Sequence, residues 1–226
     1  MIFFKNIIKK IPVVSGVAYW AYKKYLHKSF RSSSSYWENR YKSGGNSGDG
    51  SYGILAEYKG RFLNSFVVDN NICSVIEFGC GDGNQLKYSA YENYIGVDVS
   101  DTAIALCKSI YKSEENMEFI RLDEYADEQA ELALSLDVIY HLVEDDVFEE
   151  YMNALFKSAT KFVIIYSSNN EGEDSFLPHV THRNFGRWIE ANIFSWSLLK
   201  KISNKYPVYK KDRVSSVSDF YIYYKL

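Results

Sequence analysis

The chain has 226 residues, of which 46% are hydrophobic and 17% aromatic, enough for one domain with a substantial core. Its formal net charge is −3, but seven of the 26 basic residues and none of the 29 acidic residues fall within residues 1–31, so the remainder carries −10. An acidic body disfavours a nucleic-acid substrate. Three cysteines and four histidines without ligand spacing predict no structural metal and a reduced, cytoplasmic protein.

The basic N-terminal segment, residues 1–31, contains an apolar stretch from Ile11 to Tyr22. The stretch is too short to span a bilayer, and no signal-peptide cleavage pattern follows it. Flanking lysines and interspersed aromatic residues indicate either a helix on an anionic membrane surface or a helix docked on its own domain or on a second copy in a homodimer. Both interpretations stay open. A serine-rich linker then predicts a division into residues 1–35 and 36–226.

Residues 36–66 are predicted to form a cap and a helix that cover the sheet. The Gly- and Ser-rich segment 42–52 could be a flexible connector, but Trp37, Tyr41 and Tyr52 are costly aromatic residues for a linker. The segment is therefore interpreted as a cap over a ligand.

The first core strand, Ser74 to Phe78, ends in a glycine-rich turn. Such a turn lets backbone N–H groups approach a ligand at the carboxyl edge of a sheet. The spacing is G-x-G-x-G and not the G-x-G-x-x-G of dinucleotide sites, and Glu77 would repel a pyrophosphate but suit a cationic group. A helix is predicted to follow, from Asn84 to Tyr91.

The second strand, Tyr94 to Val97, ends at Asp98. An acidic side chain at this position is well placed to accept hydrogen bonds from a ribose diol. Ser100 or Asp101 is predicted to cap the next helix. The two strand ends together imply a nucleoside-containing cofactor.

The rest of the chain alternates strands with helices, which implies a mostly parallel sheet with right-handed crossovers. A covering helix is predicted at 54–66, strands at 117–122, 132–140 and 161–166, helices at 102–111, 143–159 and 182–192, and a terminal strand pair at 196–203 and 220–226, joined by a Lys-rich segment at 200–213.

Through the motifs E-F-G-C-G-D-G and Y-I-G-V-D, residues 74–168 resemble the class I S-adenosylmethionine-dependent methyltransferases. The resemblance implies an α/β, Rossmann-like, doubly wound sheet of seven strands, mostly parallel, with an antiparallel last strand. It implies S-adenosyl-L-methionine as cofactor and S-adenosyl-L-homocysteine as product. It assigns these residues to the cofactor: Glu77, Gly79, Cys80, Gly81, Gly83, Asp98, Val99, Asp123, Glu124 and Leu136, with Tyr125 as a rival to Asp123 and Glu124 at the adenine.

In this fold the end of the fourth strand faces the transferred methyl group, so Tyr140 and His141 are the first catalytic candidates. A hydroxyl acceptor must lose its proton, and histidine titrates near the working pH. We therefore predict His141 as the general base; its alternative role is an orienting hydrogen bond.

A second cluster, P-H-V-T-H-R, follows the fifth strand. His179 and Arg183 could bind an anionic acceptor, with Tyr52 of the cap as a further acceptor contact, and either His179 or His182 is a rival base. The alternative is a helix start with surface histidines.

The motifs Y-W-E-N-R-Y and H-V-T-H-R-N-F give a looser resemblance to bacterial methyltransferases of surface-polysaccharide synthesis. This resemblance implies O-methylation of a small-molecule or carbohydrate hydroxyl, in the cytoplasm or at the inner face of the membrane. The alternative function is a non-catalytic cofactor-binding module tethered through its N-terminus.

Overall fold

The computed structural model describes residues 30–171, 177–208 and 214–226. The predicted membrane or dimer helix of the basic N-terminal segment lies almost entirely outside the described residues, as does part of the Lys-rich segment 200–213. Among the described residues, no helix is long and apolar enough to cross a membrane.

The sheet has seven strands in the order β3-β2-β1-β4-β5-β7-β6. The strands are β1 (Ser74–Phe78), β2 (Asn93–Asp98), β3 (Met117–Arg121), β4 (Ala130–Leu136), β5 (Ala159–Ser167), β6 (Trp196–Ile202) and β7 (Asp219–Lys225). The first five are parallel, and β7 runs antiparallel to both of its neighbours. The predicted Rossmann-like sheet with an antiparallel last strand is confirmed.

Helices cover both faces of this sheet, as a parallel sheet requires. They are α1 (Ser33–Lys42), α2 (Gly53–Asp69), α3 (Asp101–Ile110), α4 (Asp145–Lys157) and α5 (Phe185–Asn192). Successive residues of β1 point to opposite faces: Val75 packs in one buried cluster with Leu63 of α2, whereas Ile76 packs in the other with Met152 of α4.

The predicted helix from Asn84 to Tyr91 is wrong: a short 3₁₀ helix, Gln85–Tyr88, stands there. The Gln85 amide is buried and donates to the Ala56 carbonyl at 3.0 Å, and Ser89 has extended backbone that ends the turn. The segment therefore packs against α2 and does not extend as a helix of its own.

The predicted fourth strand is too long, since β4 ends at Leu136. Asp137 has a φ of 61°, which takes the chain out of the extended region, and a 3₁₀ turn, Ile139–His141, follows. Tyr140 and His141 consequently lie on a turn beyond the strand.

The prediction of a serine-rich linker is also wrong, because α1 begins at Ser33. The Ser32 hydroxyl accepts from the Ser35 N–H at 3.1 Å, which caps the helix. Similarly, α5 begins at Phe185 and not at His182, because Asn184 is its N-cap. The division of the chain at residue 35 stays a prediction.

Candidate active site

A cavity of about 360 Å³ opens at the carboxyl edge of β1, β2 and β4, where the strand order reverses. Ligands of open α/β sheets bind at this point. Four carboxylates line it, and no lysine or arginine does among the described residues; the acids are Asp98, Asp137, Glu144 and Glu150. This balance suits a cationic ligand and disfavours a pyrophosphate.

The glycine turn forms one wall of the cavity. Gly79 and Gly81 have φ values of 81° and 58°, a region that L side chains rarely adopt. A Cβ on Gly81 would collide with Ser47 of the cap and lie 2.8 Å from the Tyr41 hydroxyl. The turn therefore brings bare backbone to the cavity, as a close-fitting cofactor site requires. Gly83 instead packs against Cys107 and Tyr111, and Cys80 is buried outside the cavity lining.

Asp98 lies on the cavity wall with only 8% of its surface exposed. Its Oδ2 accepts from the Gly81 N–H and its Oδ1 from the Ser100 N–H, both at 2.9 Å. Burial raises the pKa of Asp98, and these backbone hydrogen bonds oppose the rise. These bonds fix the carboxylate on the cavity wall, where it fits the predicted bond to a ribose diol.

Glu77 lies outside the cavity lining, although the sequence placed it at the cofactor's ammonium group. Its Oε2 accepts from the Tyr94 hydroxyl at 2.8 Å inside the sheet. Burial raises the pKa of Glu77 to about 7. The geometry makes it an interior hydrogen-bond acceptor behind the glycine turn.

Hydrogen bonds of Asp82 join the cap to the glycine turn. Its Oδ2 accepts from the Ser47 N–H at 2.9 Å and from the Tyr52 hydroxyl at 2.7 Å, and the Asp82 N–H donates to Ser47 Oγ at 3.0 Å. The Tyr52 hydroxyl is thus engaged by Asp82, and Tyr52 does not line the cavity as an acceptor contact.

The predicted adenine contacts Asp123 and Glu124 do not reach the cavity. Asp123 is exposed and pairs with Arg121 at 2.6 Å, and Glu124 accepts from the Arg121 N–H at 3.1 Å. The cavity wall at this end is apolar and includes the predicted residues Val99 and Leu136 together with Leu122 and the rival candidate Tyr125. A slot of this kind suits the flat face of a base.

His141 lines the opposite part of the cavity, beside Trp37 of α1. Its Nδ1 is 2.9 Å from the His179 carbonyl oxygen. Because a carbonyl can only accept, Nδ1 carries the proton and Nε2 keeps its lone pair. Burial lowers the pKa of His141 to about 4, so the ring is neutral at physiological pH.

The other predicted acceptor residues lie behind this wall. The Tyr140 hydroxyl donates to Asp137 at 3.0 Å, and burial raises its pKa well above the ordinary value. His182 is bonded to Ser168 at 2.7 Å. Neither Tyr140 nor His182 lines the cavity, so the structure brings His141 alone of the three catalytic candidates to it.

His179 and Arg183 likewise have structural partners. The His179 ring stacks on Tyr36 at 4.0 Å, and burial lowers its pKa to about 4. The Arg183 guanidinium donates to the carbonyls of Leu142 and Val143 and pairs with Asp145 at 2.6 Å. It holds the turn before α4 and is not free to bind an anionic acceptor.

Helix α1 lines the cavity and is held at its N-terminus and at its middle, an arrangement the sequence did not reveal. The Ser33 hydroxyl and N–H donate to Glu144 at 2.5 and 2.9 Å. The Glu38 carboxylate accepts from Ser100 at 2.5 Å and from Thr102 at 2.9 Å. The partners lie 60 or more residues away along the chain, so local pattern carried no signal for them.

No group of three or more potential metal ligands occurs within residues 30–171, 177–208 and 214–226.

Residues 76–163 match the family model described as a methyltransferase domain. Three solved structures share this fold. The methyltransferase domain of a bacterial CtHen1 is 19% identical to this chain, with a TM-score of 0.56, and the match covers 75% of this chain and 98% of that one. Magnesium protoporphyrin IX methyltransferase from Synechocystis PCC 6803, with bound S-adenosylmethionine, is 11% identical, with a TM-score of 0.61, and the match covers 88% of this chain and 99% of that one. The N-methyltransferase NodS from Bradyrhizobium japonicum WM9, with bound S-adenosylhomocysteine, is 14% identical, with a TM-score of 0.58, and the match covers 76% of this chain and 86% of that one. No curated protein matches the sequence.

The match indicates a methyltransferase domain at residues 76–163, and the fold and the glycine-turn and Asp98 geometry agree with those of class I S-adenosylmethionine-dependent methyltransferases. The domain match and the S-adenosylmethionine- and S-adenosylhomocysteine-bound neighbours support the predicted cofactor, S-adenosyl-L-methionine.

Proposed function

We propose that the protein transfers a methyl group from S-adenosylmethionine to a hydroxyl group of a small molecule or carbohydrate, with His141 as the general base. The observation that carries the proposal is the fixed tautomer of His141 on the cavity wall, with Nδ1–H donated to the His179 carbonyl at 2.9 Å. The bonded Nδ1 leaves Nε2 as the basic atom.

The cofactor supplies a sulfonium-bound methyl group, which a nucleophile displaces directly. This chain's residues must align the acceptor and take its proton. A neutral imidazole is ready to accept at physiological pH, because burial lowers the pKa of His141 to about 4. Burial disfavours the positively charged form of His141, which the ring adopts when it takes the acceptor's proton.

The walls next to His141 suit a polar, uncharged acceptor. Trp37 offers an aromatic face on which a sugar ring could stack, and Ser32, Ser34 and Glu150 line the same cavity with hydrogen-bonding groups. Arg183 is occupied by Asp145 and by backbone carbonyls, which argues against an acidic or phosphorylated acceptor.

Action in surface-polysaccharide synthesis, at the inner face of a membrane or in the cytoplasm, is part of the same proposal. It is supported by the basic, aromatic character of residues 1–31. A homodimer through that segment is the alternative use of these residues. The second candidate function, a cofactor-binding module without catalysis, is favoured by the low basicity of His141.

Substitution of His141 separates the two functions. With a panel of sugar hydroxyl acceptors, His141→Ala should lower kcat by roughly 10²- to 10⁴-fold while S-adenosylhomocysteine binds with nearly wild-type affinity. His182→Ala is the matched control and should retain kcat. The wild-type rate should stay constant down to about pH 5 and fall as His141 protonates near pH 4. Equal turnover by His141→Ala and wild type would remove His141 as the base, and lack of turnover by wild type across the panel would favour the binding module.

A further inference from the structure

A buried ion pair joins Lys59 of α2 to Asp137 at the end of β4. The Lys59 Nζ lies 2.7 Å from Asp137 Oδ2, and the exposed fractions of the two side chains are 0% and 11%. The ammonium group also lies 5.4 Å from the centre of the Tyr166 ring. Burying two charges is costly unless each is well paired, and the mechanism proposed above uses neither.

Asp137 connects several elements through one carboxylate. Its Oδ1 accepts from the Tyr140 hydroxyl at 3.0 Å and from the Ser218 hydroxyl at 2.8 Å, while Oδ2 holds Lys59. The carboxylate therefore ties α2, the turn after β4 and the chain leading into β7 together. Its own backbone has a φ of 61°, a strained value for a residue other than glycine, and such strain concentrates at functional sites.

The same carboxylate lies on the cavity wall and fixes the turn that carries His141. The His141 N–H donates to the Val138 carbonyl at 2.7 Å, and the Tyr140 ring contacts the His141 ring at 4.6 Å between centroids. A Cβ on Gly50 would lie 2.6 Å from Asp137 Oδ2, so the cap also rests against this group. Any displacement of Asp137 would thus move the turn beneath His141.

We propose that Asp137, held in place by Lys59, is the positioning residue of the acceptor site and sets the orientation of the His141 imidazole toward the acceptor. The proposal rests on the role of His141 given under Proposed function. It gives a role to a lysine that is completely buried in α2.

Two variants of the full-length chain test the proposal. Asp137→Asn keeps the shape and removes the charge, and the double variant Lys59→Met with Asp137→Asn removes both charges, so it leaves no unpaired buried ion and should fold even if the single variant does not. The matched control is Lys157→Met with Asp127→Asn, an exposed Lys–Asp pair. Circular dichroism and thermal unfolding establish which variants are folded.

The decisive readout is the titration of His141 by NMR, which needs no acceptor. The charged and titratable groups that act on His141 are Asp137, Arg40, His179 and His182, and among them Asp137 raises its pKa. Both Asp137 variants should therefore lower the His141 pKa below its wild-type value, and the control pair should leave it unchanged. With an acceptor in hand, kcat should fall roughly 10²-fold while KM for the cofactor changes little.

A His141 titration identical to wild type in either folded Asp137 variant would overturn the proposal, whatever the turnover. Failure of the wild type to bind S-adenosylhomocysteine or to methylate any acceptor would instead contradict the proposed function. The two failures are therefore distinguishable, since the titration is measured on the protein alone.

Discussion

Burial shifts the pKa values of two interior residues, Glu77 and His141, in opposite directions. Burial raises the pKa of the acid Glu77 to about 7 and lowers that of the base His141 to about 4, because it penalises the charged form of each. The two shifts affect stability with opposite signs. Loss of the His141 proton favours folding as pH rises from 4 to 6.5, whereas ionisation of Glu77 opposes it from 4.5 to 7.

The substitution Glu77→Gln isolates the effect of Glu77 ionisation on stability. The unfolded chain releases the Glu77 proton near pH 4.5 and the folded chain near pH 7, so wild-type stability from this group is fully present below pH 4.5 and is lost as pH rises through 7. Glutamine keeps an oxygen that accepts from Tyr94 and does not ionise. The stability of Glu77→Gln relative to wild type should therefore increase by roughly 3 kcal/mol between pH 4.5 and pH 8.

Chemical denaturation at several pH values measures this difference. Glu57→Gln, at an exposed residue paired with Arg61, serves as the control and should show little pH-dependent change. A constant difference between Glu77→Gln and wild type across the range would show that Glu77 is ionised in the folded protein.

Helix α1 illustrates how an element outside the sheet completes the site. It presents Trp37 and Tyr41 to the cavity, and its position depends on hydrogen bonds of Ser33 to Glu144 and of Glu38 to Ser100 and Thr102. Burial alone would raise the pKa of Glu38, but these bonds and Lys42 lower it to about 2, so the carboxylate is ionised when it accepts them.

Glu38→Gln should loosen α1. An amide offers one accepting oxygen in place of a carboxylate, so the hydrogen bonds from Ser100 and Thr102 weaken, at a cost of about 1–2 kcal/mol in the free energy of unfolding. Hydrogen exchange should accelerate across α1 while the strands of the sheet stay protected. Unchanged exchange in α1 would mean that the Ser33–Glu144 hydrogen bonds and the packing of Trp37 and Tyr41 hold the helix without Glu38.

Elements governed by local pattern were predictable from the sequence. The apolar run of β1 and the N-cap Ser100 of α3 depend on residues within a few positions. β1 was predicted with its observed bounds, and Ser100 was one of the two N-caps predicted. The end of β4 and the start of α1 were not predictable from local pattern. Asp137, just after β4, is bonded to Lys59 and Ser218, which lie 78 and 81 residues away, and Ser33 of α1 is bonded to Glu144, 111 residues away. Contacts at such separation leave no periodic signal.

The same distinction applies to the site. Asp98 and the glycine turn could be predicted because they follow strand ends in sequence, and His141 because it follows β4. The positions of Asp123, Tyr52 and Arg183 could not, because each is diverted by a partner, Arg121, Asp82 or Asp145, that satisfies its polar group away from the cavity.

In the molecule as a whole, the candidate cofactor and acceptor residues lie at one edge of the sheet. The strand order reverses at β1, between β2 and β4, and the cavity opens there. The cap and α1 cover it, and four carboxylates line it, of which Asp137 is neutralised by Lys59. An acidic cavity suits a cationic sulfonium cofactor and opposes nicotinamide dinucleotides, whose pyrophosphate is anionic.

Calorimetric titration with S-adenosylhomocysteine, with NAD as the comparison ligand, tests whether the cavity binds the predicted cofactor. We expect micromolar binding of S-adenosylhomocysteine, no measurable binding of NAD, and loss of binding in Asp98→Ala, with Asp101→Ala as an exposed acidic control that binds normally. Absence of S-adenosylhomocysteine binding in folded wild-type protein, or equal binding by Asp98→Ala, would contradict this expectation.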